Sequence, residues 1–474
     1  MKDKAPKQSS GRDQFMDLAA TGAPPGEQEA PAASAEAYPP PREAWYCVSI
    51  LALAVMVNFL DRGILNLLIE PIKADLGLSD TQISLIVGAA FTIFYAIFGW
   101  PVAVMVDRFS RKRMMAVGIA IFGVMTTLSG LASNFWHLFL ARVGIGVGET
   151  TSGPSAYSLL SDYFPPEKLP RAIAVMNLGF VAGVGFSMII GGAIISFVGT
   201  SGGYDLPFGL HLRGWQVVLI TVGIPGLLVS ALMLTVKEPK RRGIVDKKSR
   251  PLGEVFGFVG HHWKVYVPLF AGLALRSVQM FGLQTWGAPF YARTYGWSGV
   301  QYAYVAGVSL MIAMPIGLFL GSWLAERWWK NKIYDANIRV TVISTAVAVP
   351  LAMAQPLMPS PWLAAFVGFF AALASGMAAP VENAALQSVT PNHLRGQVTF
   401  MFLFIMNVIG MMMGPLVVST FTDVVFSEEN IRYSLFLTAT LMGPPAIFIF
   451  WAGMKPYGRA MAAGGVLQPP SAKL

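Results

Sequence analysis

The chain has 474 residues, 54% of them hydrophobic and only 12% charged, with a formal net charge of +9. Soluble domains carry about 25% charged residues, so this chain lacks the polar surface that a water-soluble protein of its size needs. Its apolar residues fall in blocks of roughly 20, enough to cross a hydrocarbon core about 30 Å thick, which makes it a polytopic helical membrane protein.

Residues 1–43 are rich in Pro, Ala, Gly, Ser and charge and contain no apolar signal-like run, so they are predicted as a disordered cytoplasmic tail. Twelve spans follow. The first six are predicted at 45–70, 81–106, 114–133, 136–161, 172–198 and 215–236, within a bundle covering 44–237. A cytoplasmic linker is expected at 238–263. The second six spans are predicted at 265–291, 299–325, 336–354, 362–388, 397–422 and 432–453, in a bundle covering 264–455, with a cytoplasmic tail at 456–474.

Basic residues set the orientation. One side collects "DRFSRKR", "PPEKLPR", "KEPKRRGIVDKKSR", "ERWWKNK" and "NHLRG", while the other holds Lys73, Arg213, Arg293 and Arg432. The basic side is read as cytoplasmic, with both termini inside. The charge therefore reports orientation and contact with anionic lipid, not nucleic acid. Cys47 stands alone, so no intramolecular disulfide forms. The histidines lack metal-ligand spacing and no "GxxxxGK[ST]" loop occurs, which argues against an ATP-driven pump. No cofactor or metal is expected, and the monomer is the expected functional unit.

The sequence repeats. "LGLSDTQISLIVG" (76–88) matches "YGWSGVQYAYVAG" (295–307) at an offset of 219, which pairs Gly77 with Gly296, Ser79 with Ser298 and Gln82 with Gln301. The same offset carries "AVMVDRFSRKR" onto "SWLAERWWKNK", and "GPSAYSLLSDYFPP" meets "APVENAALQSVTPN" at 226. Two six-helix halves in parallel orientation follow, an arrangement that places substrate between them near the midplane. The charged clusters Asp107, Arg108 and Arg111, and Glu326 and Arg327, are expected to act as cytoplasmic latches.

Residues that break the repeat are the better site candidates. Asp61 and Arg62 map onto Met280 and Phe281, Arg142 onto Gly368, Glu149 onto Ser375, and Arg276 onto Val57. A charge at the middle of a span costs roughly 2.5–3.5 kcal/mol on insertion scales, so such groups face a partner or a cavity. Arg142 and Glu149 lie seven residues apart, nearly two turns, on one face of span four. Gly146 and Gly153 continue that face and are expected to leave room for a neighbour or ligand. Asp61, Arg62, Arg142 and Glu149 are predicted to converge in one polar pocket. Asp61 and Glu149 are candidate proton carriers. Arg62, Arg142 and Arg276 suit an anionic group, with Gln279 and Gln284 adding polar contacts. A buried structural pair of Asp61 with Arg142 is the plainer alternative. Glu382 and Asn383, in the inner part of span ten, are candidates for either gate packing or substrate contact.

"NFLDR…LSDTQISL…FTIFYAIFGWP…DRFSRKR" together with "LFLARVGIGVGET…GPSAYSLLSDYFPPEK" resembles the Spinster family of the major facilitator superfamily over most of 56–236, and the second half resembles it more loosely. The resemblance implies an all-α fold of twelve transmembrane helices and proton-coupled alternating-access transport of an amphiphilic lipid, of lysophospholipid or sphingosine-1-phosphate type. It places Asp61, Arg62, Arg142 and Glu149 on the family's polar positions. The short loops suggest a bacterial inner-membrane member. The alternatives are a drug or small organic-anion transporter on the same scaffold, and a non-transporting lipid receptor.

Overall fold

The computed structural model describes residues 38–165, 167–199, 203–206, 210–241, 252–391 and 394–467. Most of the predicted tail 1–43, and the basic stretch 242–250, lie outside them.

Each predicted span is a helix. Span one is Pro41–Leu67, span three Arg111–Ser129, span five Leu169–Val198 and span six Gly214–Thr235. Span two runs from Asp80–Ser84 through a π turn at Leu85–Ala89 into Ala90–Arg108. Span four is broken into Phe135–Glu149 and Ser152–Tyr163. In the second half, spans seven to ten are Trp263–Tyr295, Gly299–Lys330, Ala336–Ala354 and Pro361–Val389. Span eleven comprises Arg395–Phe404, a π turn at Ile405–Gly410, Met411–Phe421 and a second π turn at Thr422–Phe426; span twelve is Ile431–Ala462. Among the described residues, ten helices are long and apolar enough to cross a membrane. The other two predicted spans are span four, interrupted midway, and span five, the 30-residue helix Leu169–Val198.

Local chemistry explains why the repeat reads so clearly. Gly77 and Gly296 adopt φ of 63° and 71°, the left-handed conformation that ends a helix and favours glycine. Two residues on, Ser79 and Ser298 begin the next helix with the same capping box. The Gln82 amide donates to Ser79 Oγ at 3.1 Å and the Ser79 amide to Gln82 Oε1 at 3.0 Å. The Ser298–Gln301 pair does the same at 3.2 and 2.9 Å. Asn134 and Ser360, 226 residues apart, cap spans four and ten alike.

Three departures from the predicted layout appear. The linker contains a helix, Leu252–His261, whose Val255 and Phe258 pack against Val265, Tyr266 and Leu269. Span twelve extends past its expected end at 453 to Ala462, and the chain then folds back so that the Leu467 amide donates to the Val389 carbonyl at 3.0 Å. A short helix, Ile69–Leu76, and a hairpin of β1 (Gly203–Leu206) and β2 (Leu210–Arg213) fill two loops at the end of the bundle away from the termini.

Across the halves, span five packs on span eight and span eleven on span two. The repeat exchanges these two contacts, so the interface has pseudo-twofold symmetry. Packing differs between its ends. At the distal end, away from the termini, one apolar cluster joins both halves and includes Leu67, Leu68, Ile195, Trp286, Phe290 and Ala303. At the terminal end the apolar core divides, one cluster around Cys47, Met115 and Leu160 and another around Tyr266, Leu386 and Tyr457. The halves thus share one apolar cluster distally, whereas at the terminal end each has its own, Met411 of span eleven being the second-half member of the first-half cluster.

Candidate functional site

The four unrepeated charges of the first half do meet, as two ion pairs. Arg142 Nη1 donates to Asp61 Oδ2 at 2.6 Å, and Nη2 lies 3.5 Å from Oδ1. Both are buried, Asp61 with 0% and Arg142 with 3% of its surface exposed. Arg62 Nη2 donates to Glu149 Oε1 at 2.7 Å, and these side chains keep 24% and 14% exposure. Consecutive residues on span one therefore bind two positions of span four on different terms. Asp61–Arg142 is sealed, whereas Arg62–Glu149 remains reachable. Of the two carboxylates expected to carry protons, only Glu149 is accessible in this conformation.

The Arg62 guanidinium also sits 4.4 Å from the centroid of Phe91 and 5.5 Å from that of Phe59, and Nη1 lies 3.7 Å from Met411 Sδ. Met411 belongs to span eleven, so this arginine touches the opposite half. Arg62 Nε, Arg142 Nε and Glu149 Oε2 are buried without a hydrogen-bond partner among the described residues. Such buried polar atoms are few in native proteins, and three of them here leave unused hydrogen-bonding capacity.

The two glycines of this face behave differently. A Cβ on Gly146 would stand 2.5 Å from the Phe91 carbonyl, while one on Gly153 would meet nothing within 4 Å. Gly146 lets spans two and four touch; of the pair, only Gly153 borders open space. Between them span four breaks at Thr150 and Thr151, whose hydroxyls donate to the carbonyls of Val147 at 2.5 Å and Gly148 at 3.0 Å. The same two carbonyls accept the Thr150 and Thr151 amides at 3.3 and 3.5 Å, so the hydroxyls reinforce weak backbone bonds at the break.

In the second half, Arg276 has no acid nearby in sequence, but span ten supplies one. Arg276 Nη2 donates to Glu382 Oε2 at 2.5 Å, with 13% and 2% side-chain exposure, and Nη1 lies 3.5 Å from the Ser375 carbonyl. Gln279 is half-buried and lines a small cavity with Leu283, Val418 and Thr438, all of the second half, so it does not face the first. Gln284 is also half-buried. Asn383 Oδ1 accepts from Gln387 Nε2 at 2.8 Å along its own helix.

The expected latches differ in strength. Arg111, 1% exposed, ion-pairs with Asp162 and donates to Glu238 Oε1 at 3.1 Å, the Ser158 carbonyl at 3.0 Å and the Pro239 carbonyl at 2.9 Å. Glu238 also accepts from the backbone amides of Arg111 at 2.8 Å and Lys112 at 3.3 Å, and from Ser110 Oγ. Burial pushes the Glu238 carboxyl up, yet these hydrogen bonds outweigh it and hold the group below its ordinary value. Asp162 and Glu238 were not among the sequence candidates, although "SDYFPP" and "KEPKRR" place each at a helix end. This cluster stays within the first half. Arg108 is exposed, and the Asp107 side chain lies outside the described set. In the second half, Glu326 pairs with Lys330 of its own helix at 2.6 Å, and Arg327 lies 5.6 Å from the Trp323 ring. Glu326 also borders a cavity of about 320 Å³ with Ser322, Asn337 and Ser388. Among the described residues, neither cluster crosses between the halves.

The profile of the Major Facilitator Superfamily matches residues 51–415. The chain belongs to the Major Facilitator Superfamily. Within that superfamily, one similar solved structure is a bacterial homologue of the human lysosomal transporter Spinster, in an inward-facing and unoccupied conformation. It aligns with a TM-score of 0.72 and 26% identity over 90% of this chain and 95% of that one. An MFS-type efflux pump of Mycolicibacterium smegmatis is 28% identical over 88% of this chain and 94% of its own length. Protein spinster homolog 1 of Xenopus tropicalis is 28% identical over 43% of this chain and 37% of its own. The Spinster-like major facilitator fold read from the sequence is therefore the fold of this protein, and the chain is a multi-pass membrane transporter.

Proposed function

We propose that this transporter moves an amphiphilic, lipid-like molecule with an anionic or zwitterionic headgroup, of lysophospholipid or sphingosine-1-phosphate type, coupled to protons. The two halves rock about the site in a bacterial inner membrane, with both termini cytoplasmic and the terminal side of the bundle facing inward. The observation that carries the reading is the Arg62–Glu149 pair. It is part-exposed, it touches the opposite half through Met411, and it leaves Glu149 Oε2 and Arg62 Nε without partners.

Its chemistry is an exchange of partners. While Glu149 is ionised, it occupies the Arg62 guanidinium. A proton on Glu149 removes that charge and frees the arginine for a phosphate or carboxylate, which guanidinium binds in bidentate fashion. Headgroup and ionised Glu149 thus compete for the same arginine, so proton and headgroup each favour the other's binding, and that linkage is the coupling. Arg276 with Glu382 offers a similar pair from the second half. Asp61 with Arg142 holds spans one and four together in this state and takes part only when the helices move. Phe59, Phe91 and Met411 around Arg62 supply apolar surface suited to an acyl chain. Gln284 is retained as a candidate polar contact, while Asp107, Arg108, Arg111, Glu326 and Arg327 are assigned to the cytoplasmic gate.

Uptake of labelled lysophospholipid and sphingosine-1-phosphate into proteoliposomes, with and without an imposed pH gradient, tests this. Gradient-dependent movement of either is expected, and movement of neither defeats the lipid reading. The similarity to an MFS-type efflux pump favours a second reading, a drug or small organic-anion exporter using the same arginines. Transport of a labelled carboxylate dye without lipid movement selects it.

A further inference from the structure

A second set of buried charges lies at the distal end, away from the site above. Arg293, at the end of span seven, donates through Nη1 and Nη2 to the Asp80 carboxylate at 2.6 and 2.9 Å, and through Nε to Glu70 at 2.8 Å. Its guanidinium also lies 5.5 Å from the Trp286 ring centroid. Lys73 Nζ donates to Asp80 Oδ1 at 2.6 Å and pairs with Glu428. The Thr81 amide and hydroxyl donate to Asp423 Oδ2 at 2.8 and 2.6 Å. Glu70, Lys73, Asp80 and Thr81 belong to the first half, and Arg293, Asp423 and Glu428 to the second. Four residue pairs therefore cross the distal seam, over the apolar cluster that both halves share.

These charges do not build the turn. At the repeat offset of 219, Asp80 corresponds to Gly299, Glu70 to Pro289, Lys73 to Ala292 and Arg293 to Ala74. The second copy forms the same left-handed glycine and the same capping box without any of them. Asp80 is nonetheless fully buried, and an ionised carboxylate is taken out of water only against strong partners. We infer that Asp80 and Arg293 form a bolt that closes the outer mouth of the transporter, and that Lys73 keeps Asp80 paired when the bolt is drawn.

Two of Asp80's partners differ in which half they move with. Separating the halves distally takes Arg293 away and leaves Lys73, seven residues along the same half. Arg293 therefore stabilises the closed mouth alone. Lys73 stabilises Asp80 in both states and matters most in the open one, where no other cation among the described contacts remains on it. Its second bridge, to Glu428, is weaker because that carboxylate is 53% exposed. The two cations thus act with opposite sign on one equilibrium, which a merely structural cluster does not predict.

The inference rests on alternating access but needs no substrate, so its failure is separable from failure of the lipid reading. Spin labels at Leu131→Cys and Val424→Cys, exposed positions on opposite halves at the distal end, are placed in a Cys47→Ala background, and their distance distribution is read by pulsed dipolar spectroscopy in nanodiscs. Arg293→Gln and Asp80→Asn are expected to raise the ratio of long to short distances about tenfold or more, because removing one partner of a buried pair is strongly destabilising to the state that holds it. Lys73→Met is expected to leave that ratio unchanged or lower it, and Glu428→Gln to change it less than threefold. If Arg293→Gln does not yield monodisperse protein, Arg293→Lys keeps the charge, loses the two-pronged bond, and is expected to shift the ratio the same way by less. Unchanged distributions in the Arg293 and Asp80 variants overturn the inference. So does a rise in Lys73→Met that matches Arg293→Gln.

Discussion

Arg62 and its neighbour in sequence, Asp61, are committed to different partners on the same helix: Arg62 reaches Glu149 at 2.7 Å and Asp61 accepts from Arg142 at 2.6 Å. The first pair is part-exposed and the second sealed, so the two acids answer differently to neutralisation. Glu149→Gln is expected to leave folding intact and abolish the dependence of transport on a pH gradient. Asp61→Asn strands Arg142 in the interior, a loss of about 3–5 kcal/mol for a buried pair. Its thermal midpoint in detergent is expected to fall well below that of Glu149→Gln. Equal midpoints with coupling lost in both would show that the pairs do the same job.

Arg276 and Glu382 allow a cleaner separation of charge from packing. Arg276→Gln leaves a carboxylate with 2% exposure unpaired, and Glu382→Gln leaves the guanidinium. Each single change is expected to destabilise more than the double change Arg276→Met with Glu382→Leu, because an apolar replacement removes both desolvated charges together. Thermal unfolding of the three variants checks the order.

Gly146 and Gly153 form an internal control for helix packing. Gly146→Ala pushes a methyl group against the Phe91 carbonyl and is expected to cost about 1–3 kcal/mol. Gly153→Ala meets open space and is expected to be close to neutral. Unfolding midpoints that fail to separate the two would mean that spans two and four move apart without penalty.

Glu238 gives the terminal-end network a pH signature. Its carboxyl is held below the ordinary value of 4.5 by the bonds from Ser110, Arg111 and Lys112, which outweigh burial. A depressed folded value means that its contribution is complete above the unfolded value and fades as pH falls through the folded one. Glu238→Gln is therefore expected to lower the thermal midpoint at pH 7, with the gap to the parent protein narrowing below about pH 4. A gap that stays constant down to pH 3 would assign the effect to shape and not charge.

The parts of this fold legible in the sequence are those set by local rules. Gly77, Ser79 and Gln82 announce a helix end and a helix start within six residues, and their repetition at Gly296, Ser298 and Gln301 exposed the two halves. Convergence of Asp61, Arg62, Arg142 and Glu149 was legible because depth along a helix follows from residue counting. The buried Asp61–Arg142 pair, the plainer alternative read from the sequence, is the one found; that Arg62 takes Glu149 was not legible, since it depends on helix rotation. The Arg276–Glu382 pair joins residues 106 apart, and nothing local to either names the other. Gly146 and Gly153 were both read as room for a neighbour or a ligand, and which of them takes the neighbour was not legible, because an open helix face and a helix–helix contact read alike until the neighbour is in place. The distal bolt did leave a trace, since Lys73 and Arg293 were among the few basic residues on the sparse side, but orientation statistics treated them as background.

The π turns of spans two and eleven confront each other across the seam, with Gly88 of the first pressed on the Met411 carbonyl just beyond the second. A π turn carries one residue more than the α turn it replaces, so migrating it along the helix swivels every side chain it passes by about 100°. Met411, on which Gly88 presses, is also the residue that touches the Arg62 guanidinium; a one-residue shift of the neighbouring π turn would swing it off the arginine by a local twist, with no tilt of either six-helix body.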